Sequence, residues 1–240
     1  MLETHLHIDT RRHVRFSSST ERTLQTLLLR DFPHEEAEQL WQRLCRTYES
    51  YLTDLPYTGG KSNPMWDDLY DSLAVFAYYE VLPEKPTLEE FEQVVAQNFN
   101  RVHFPSWLRF GTGTIRFCVR LIGSVMGRNL NRHYADGSWG NCWGIGTPEN
   151  LDNLPGMQLR GCPIADFARK HGYAHLMPAM CNPDFEGMAN MHIHLVRPRT
   201  VAMGYPSCDY YFTPLGSPEA ERYPIRKTPE GFLVNGDGKD

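Results

Sequence analysis

The stretch CNPDFEGMANMHIHLVRPRTVAMGYPSCDYYF, residues 181–212, contains the change from helix to strand that decides the fold. Its first part is typical of a short helix interrupted at Pro183, because a proline inside a helix removes a backbone donor. Residues 192–196 and 208–213 then alternate in polarity, as half-buried strands do. A loop with proline and glycine separates them. The stretch therefore predicts a short helix followed by two antiparallel strands.

The residues before this stretch have the periodicity of helices. Thr87 and Glu90 have the spacing of a capping box, and residues 114–134 predict one long helix with Cys118 on an apolar face. Another helix follows Pro33, with apolar side chains three and four residues apart. These are Ala37, Leu40, Trp41, Leu44, Cys45, Tyr48 and Leu52. We therefore expect an α+β fold, in which a helical N-terminal half packs on a C-terminal antiparallel sheet with short helices.

No repeat or clear linker divides the chain, which predicts a single domain over residues 1–240. The polar segment 214–240 is expected to lie loosely on the surface. The net charge of -5, from 24 basic and 29 acidic residues, predicts no electrostatic footprint for nucleic acid or for an anionic membrane. The most apolar run is interrupted by Arg116 and Arg120, so we expect no span of a bilayer.

The six cysteines are expected to be free thiols in a reducing compartment. The N-terminus has no apolar run typical of a secretory signal, so a cytoplasmic location is predicted. No two cysteines have the spacing of a zinc ribbon. A composite divalent-metal site made of Cys162, Cys181, Cys208 and a histidine stays open, but its spacing is not diagnostic, and no cofactor is expected.

Two histidines and two thiol–acid pairs lie within residues 181–212. His192 and His194 would share one face of a strand, where they could bind a metal or divide acid and base roles, or simply face solvent. Cys181 and Asp184 are one helical turn apart and can meet. A carboxylate raises the pKa of a nearby thiol, so this acid is better suited to activate a water molecule or to orient a cationic substrate.

Cys208 and Asp209 are neighbours in a predicted strand. Their side chains therefore point to opposite faces, and only one of them can join a given pocket.

The segment TGGKSNP, residues 58–64, is the other candidate for ligand binding. Gly59 and Gly60 allow a close backbone approach, Lys61 can pair with an anion such as a substrate carboxylate, and Asn63 is suited to cap the next helix. The segment lacks the full phosphate-loop pattern. The alternative is an ordinary loop with a solvated lysine.

In chain order, several motifs resemble the L-2-amino-thiazoline-4-carboxylic acid hydrolase family. They are Gly-Gly-Lys-x-Asn from Gly59, Cys-Pro at Cys162, Cys-x-x-Asp from Cys181, Arg-x-x-Thr from Arg197 and Gly-x-x-x-Cys-Asp-aromatic from Gly204. The resemblance covers residues 54–212. It implies a hydrolase that opens a small cyclic amidine- or amide-type heterocycle, such as a thiazoline carboxylate, to an N-carbamoyl or related open-chain product.

On this resemblance we assign expected roles. Cys208 or Cys181 acts as nucleophile or flanks an activated water molecule, with a slight preference for Cys208, which follows a glycine-containing loop. Acid–base chemistry falls to Asp184, His192 or His194. Substrate binding falls to Gly59, Gly60, Lys61, Asn63 and Asp209.

The layout of the later cysteines is also similar to the 4-vinyl reductase type of small-molecule-binding domain, which provides a non-enzymatic alternative. A subunit of a larger complex is a third possibility. The expected partner is a small-molecule substrate, without nucleic acid or membrane, and a homo-oligomer stays open.

Overall fold

A computed structural model of the chain describes residues 16–99, 102–140 and 142–235. The helices are α1 Ser18–Asp31, α2 His34–Asp54, α3 Trp66–Val81, α4 Leu88–Phe99, α5 Thr112–Asp136, α6 Pro163–Lys170, α7 Met177–Cys181, α8 Pro183–Asn190 and α9 Pro218–Glu221. The strands are β1 Gly144–Gly146, β2 Gly156–Arg160, β3 Ile193–Val196, β4 Ser207–Pro214, β5 Ile225–Lys227 and β6 Leu233–Asn235. The predicted α+β architecture is confirmed.

The main sheet is antiparallel and has the strand order β1-β2-β4-β3. The predicted pairing of the two strands in residues 181–212 is confirmed, with His194 opposite Thr213. On the other side of β4, Leu159 lies opposite Cys208 and Gln158 opposite Asp209. Because side chains alternate along a strand, this register fixes which residues of β4 face the helices.

Helix α3 lies at the centre of the helical half and is buried on almost every side. Its buried residues include the polar side chains Asp71 and Ser72. The carboxylate of Asp71 accepts hydrogen bonds from the backbone N–H and the hydroxyl of Ser17, each at 2.7 Å. Ser17 is in turn the N-cap of α1. A buried acid thus ties the start of α1 to α3, as buried polar groups require partners.

Two predictions made for the helices can be compared with the structure. The capping box is confirmed, since the N–H of Thr87 donates to Glu90 and the N–H of Glu90 donates to the Thr87 hydroxyl. The helix over residues 114–134 is confirmed as α5, but Cys118 is exposed. Apolar side chains lie on the outward side of α5 as well as on its sheet side, so an apolar face there does not mean burial.

The expectation that the segment 214–240 lies loosely on the surface is wrong for its described part. Residues up to 235 form α9 and the β5–β6 hairpin instead of lying loosely on the surface. Phe232 is buried in the main core, and Tyr223 is buried in a smaller cluster. These aromatic side chains anchor a segment whose average composition is polar. Residues 236–240 of the predicted tail lie outside the described residues.

Within the described ranges, no helix has both the length and the apolar character needed to cross a membrane.

The loop that leads into α3 requires glycine at position 59. Gly59 has a φ of 94°, and a Cβ there would lie 2.6 Å from the Trp139 ring. Gly137, at the end of α5, has a φ of 67° but open space around it. A left-handed backbone disfavours any side chain, and the overlap at Gly59 adds a steric cost.

We predict that Gly59→Ala destabilises the protein more than Gly137→Ala does. The expected losses are about 1 kcal/mol at position 137 and roughly 2–4 kcal/mol at position 59, from backbone strain plus overpacking. Denaturant unfolding measures both variants. Equal losses would show that the packing against Trp139 is not as described.

Candidate active site

A cavity of about 340 Å³ lies between the helices and β4. Its polar lining consists of Asp68, Ser72, Cys162, Cys181, Asp184, Cys208 and Tyr210. Five methionines and the aromatic ring of Trp143 form much of the remaining wall. The volume suits a small molecule, because ligand cavities usually begin near ~300 Å³. The cavity therefore combines acids, thiols and a phenol in an otherwise apolar enclosure.

The local fold explains how these groups converge. Pro183 separates α7 from α8 and so presents Cys181 and Asp184 to the same space, as the sequence spacing predicted. Cys208 and Tyr210 are two residues apart on β4 and share the face that lines the cavity. Asp209 points to the other face.

Asp184 is held by a buried arginine. Nη1 of Arg197 donates to Asp184 Oδ2 at 2.7 Å and to the Cys181 carbonyl at 2.9 Å. The Tyr210 hydroxyl donates to the same Oδ2 at 3.2 Å. The Arg197 side chain is 1% exposed, whereas that of Asp184 is 41% exposed. No hydrogen bond from a described residue reaches Oδ1, which leaves that oxygen available to water or a ligand.

The two cavity carboxyl groups differ in their partners. Burial raises the pKa of Asp184, while Arg197 and the Tyr210 hydroxyl act against that increase. Burial also raises the pKa of Asp68 to about 6, and the negative charges of Asp184, Asp67 and Asp71 add to the effect. Asp68 is nonetheless an exposed residue, so solvent screens part of this effect. Asp68 changes charge close to neutral pH.

The three cavity thiols are kept in the neutral form. Burial raises the pKa of Cys181 and of Cys208, and it raises the pKa of Cys162 to about 12. A backbone N–H donates to the sulfur of Cys208, at 3.3 Å from Val201, but does not outweigh burial. Because the thiolate is the nucleophilic form of cysteine, this environment does not activate the thiols.

The structure does not bring His192 and His194 to the cavity lining. His192 precedes β3 with a φ of 59°, and its Nε2 contacts the carbonyls of Phe104 and Pro105 at 3.2 Å. Nε2 of His194 contacts the carbonyl of Tyr223 at 3.0 Å. The left-handed backbone at His192 ends the strand alternation there, so the two imidazoles serve different backbone segments.

The predicted binding loop also lies outside the lining, although Met65 and Asp68 just after it belong to the cavity. Gly60 starts a short 3₁₀ turn with a φ of 51°. Lys61 is exposed, with its ammonium 5.7 Å from the centre of the Trp66 ring. Asn63 donates to the Thr58 carbonyl and accepts from the N–H of Met65. Gly59 has no side chain and so leaves room for the Trp139 ring.

Asp209 is buried on the opposite face of β4. It pairs with Arg199 at 3.1 Å and accepts hydrogen bonds from Gln158 and Ser207. These contacts give it a structural role in the sheet.

Across the described part of the chain, no group of three or more His, Cys, Asp or Glu side chains is arranged to hold a metal ion. All six cysteines are separate thiols.

Asp68, Ser72 and Tyr210 were not predicted as site residues from the sequence, and Arg197 was expected only as part of the Arg-x-x-Thr motif. One signal was present, because Asp68 and Ser72 are polar residues one turn apart on a helix rich in apolar side chains. The alternation of β4 likewise places Tyr210 beside Cys208. The partnership of Arg197 with Asp184 depends on tertiary structure.

Fold and cavity together define an α+β protein with an acidic, thiol-lined cavity of a size that suits a small molecule. The family model described as L-2-amino-thiazoline-4-carboxylic acid hydrolase matches residues 68–212, more than half of the chain. The chain belongs to this family. The matched region begins at Asp68 and includes every polar residue of the cavity lining, whereas residues 59–63 precede it. No curated protein and no solved structure matches the chain.

We predict that Arg197→Met destabilises the fold by about 2–3 kcal/mol, because it removes charged hydrogen bonds and leaves Asp184 without its cation. Thermal and denaturant unfolding test this loss. The double variant Arg197→Met with Asp184→Asn should be less destabilised than the sum of the single variants. Strict additivity would contradict a direct interaction of the two side chains.

Proposed function

We propose that the protein hydrolyses a C–N or C–S bond of a small cyclic amidine-type heterocycle inside this cavity. The observation that carries the proposal is the convergence of Asp68 and Asp184 on one cavity within the region that matches the hydrolase family. The name of that family denotes hydrolysis of a thiazoline carboxylate. The proposed product is an N-carbamoyl or related open-chain compound.

The charge of the cavity favours a cationic substrate group. The described lining residues include two carboxyl groups and no lysine, arginine or histidine. Trp143 and Tyr210 add aromatic rings, whose faces attract cations. An amidinium group suits this environment, whereas a substrate carboxylate would be repelled by Asp68 and Asp184 and would have to point away from them. The proposed site leaves out Lys61, whose ammonium lies over Trp66.

The proposed reaction uses Asp184 as the general base. Arg197 and Tyr210 favour its ionised form, and Oδ1 is available to a water molecule. The water oxygen forms a bond to the amidine carbon while Asp184 accepts the water proton. The ring C–S or C–N bond then breaks, and the departing atom takes that proton from Asp184. The hydroxyl left on the carbon becomes the carbonyl of the product, and its proton is released to solvent. Ionised Asp68 binds the amidinium N–H groups and holds the carbon in position.

The thiols have a different role in this mechanism. Neutral Cys181 and Cys208 form part of the cavity wall and are not required as nucleophiles. The proposed nucleophile is therefore an activated water molecule and not a cysteine thiolate.

We predict that Asp184→Asn lowers kcat/KM for ring opening by about 10²–10⁴-fold, the usual contribution of a general base. Cys181→Ser and Cys208→Ser should each retain activity within about 10-fold, since a neutral thiol and a hydroxyl are similar in size. The assay uses a panel of cyclic amidines, hydantoins and lactams. Loss of activity in a folded thiol variant together with full activity in Asp184→Asn would support covalent catalysis instead.

The same panel separates an enzyme from a carrier. A carrier would show a ligand-dependent rise in melting temperature without turnover. That result would refute the proposed hydrolysis.

We predict that kcat/KM for a cationic amidine rises with pH through about 6, because Asp68, whose pKa is raised to about 6 chiefly by burial, must be ionised to bind the cation. In Asp68→Asn this dependence should disappear and activity should fall. The pH profile of kcat/KM measures both effects.

A stability measurement provides the control for this variant. A carboxyl group with a raised pKa in the folded state destabilises the protein once it ionises. Asp68→Asn should therefore raise the melting temperature above pH 6, with the gain shrinking as the pH falls towards 4. A variant that loses stability at neutral pH would contradict the environment described for Asp68.

A further inference from the structure

The outward side of α5 carries apolar side chains that the described residues leave exposed. Phe117, Leu121 and Val125 are four residues apart and therefore share one face of the helix, and Ile122 lies beside them. Phe117 is 65% exposed and Val125 68%. We call these four residues the α5 outer surface. An exposed apolar patch on a helix that is already packed on its other side marks an interaction surface.

A second observation concerns charge. Residues 93–135 contain six arginines and neither aspartate nor glutamate. Among them, Arg120 and Arg128 are exposed on α5, and Arg109 is exposed in the preceding loop. The net charge of -5 for the whole chain conceals this segregation, because the acids lie elsewhere. The α5 outer surface thus lies within a positively charged part of the sequence.

We propose that the α5 outer surface docks on an anionic phospholipid membrane, with α5 parallel to the bilayer. Its apolar side chains would enter the boundary between headgroups and acyl chains, as those of interfacial amphipathic helices do. Arg120 and Arg128 would contact lipid phosphates while their aliphatic stems stay near the apolar layer. Trp107, 79% exposed in the loop before α5, has the side chain typical of membrane interfaces.

The arginines of α5 fit an anionic lipid surface better than they fit the α5 helix of a second copy of the chain. In an antiparallel pair of α5 helices centred on Leu121, Arg128 of one copy would lie near Thr114 of the other, at the positive end of its helix dipole. In a parallel pair, Arg120 would face its own copy. Neither arrangement offers a carboxylate from this segment to the arginines, whereas an anionic bilayer offers many phosphates.

The test is sedimentation of the full chain with phosphatidylcholine vesicles that contain or lack phosphatidylglycerol. We expect binding only to the anionic vesicles, and binding should weaken as salt is raised. Arg120→Gln with Arg128→Gln should weaken binding by about 25-fold, since each arginine near an anionic surface contributes about five-fold. Phe117→Ser with Val125→Ser should abolish binding.

Matched controls are available on other helices. Arg43→Gln with Arg46→Gln removes two exposed arginines of α2, and Leu29→Ser removes an exposed apolar side chain of α1. Both control variants should bind vesicles like the unmodified chain. Tryptophan emission should shift to shorter wavelength on binding. Trp107→Phe should lose that shift while still sedimenting with vesicles.

Three results would overturn the proposal. The first is equal binding to vesicles with and without phosphatidylglycerol, or no binding to either. The second is unchanged binding of the Arg120/Arg128 variant. The third is a dimer, found by light scattering, that the Phe117/Val125 variant dissociates, because the occupant would then be a second copy.

Discussion

The interaction between Arg197 and Asp184 connects the parts of the molecule that form the cavity. Arg197 follows β3, and its guanidinium binds the Cys181 carbonyl and the carboxylate of Asp184. Its backbone N–H donates to Asn235 in the terminal hairpin. A fully buried cation must be paired, since an unpaired charge in the interior is strongly unfavourable. This ion pair therefore helps to hold α7 and α8 against the sheet, together with the Asn182 side chain, which bonds the backbone of Gly231 and Leu233.

The same pair sets the electrostatics of the cavity. Arg197 partly neutralises Asp184, but Asp68 has no comparable cation among the described residues that line the cavity. Besides burial, the negative charge of Asp184 contributes to the raised pKa of Asp68, and two carboxyl groups on one cavity attract a positive ligand group. A bound amidinium would relieve this repulsion. The cavity without ligand thus carries an electrostatic cost that the proposed cationic substrate would remove, which is a common relation between stability and function.

Local patterns predicted much of the fold and part of the site. The helices, the two strands of residues 181–212, and the shared direction of Cys181 and Asp184 follow from periodicity and from the break at Pro183. The opposite directions of Cys208 and Asp209 follow from strand alternation. His192 departs from that alternation because its backbone is left-handed. The sequence did not predict Asp68 as a cavity residue, because it lies beside Asp67 in the first turn of α3, where exposed acids are common, and its polarity alone does not distinguish a cavity residue from a solvated one.

The most direct test of the account is a crystal structure of the protein with a small cyclic amidine bound. The account predicts that the amidinium nitrogens lie within about 3 Å of the carboxylate oxygens of Asp68 or Asp184, at hydrogen-bond distance. A carboxylate of the ligand placed against these acids, or a ligand bound away from this cavity, would contradict it.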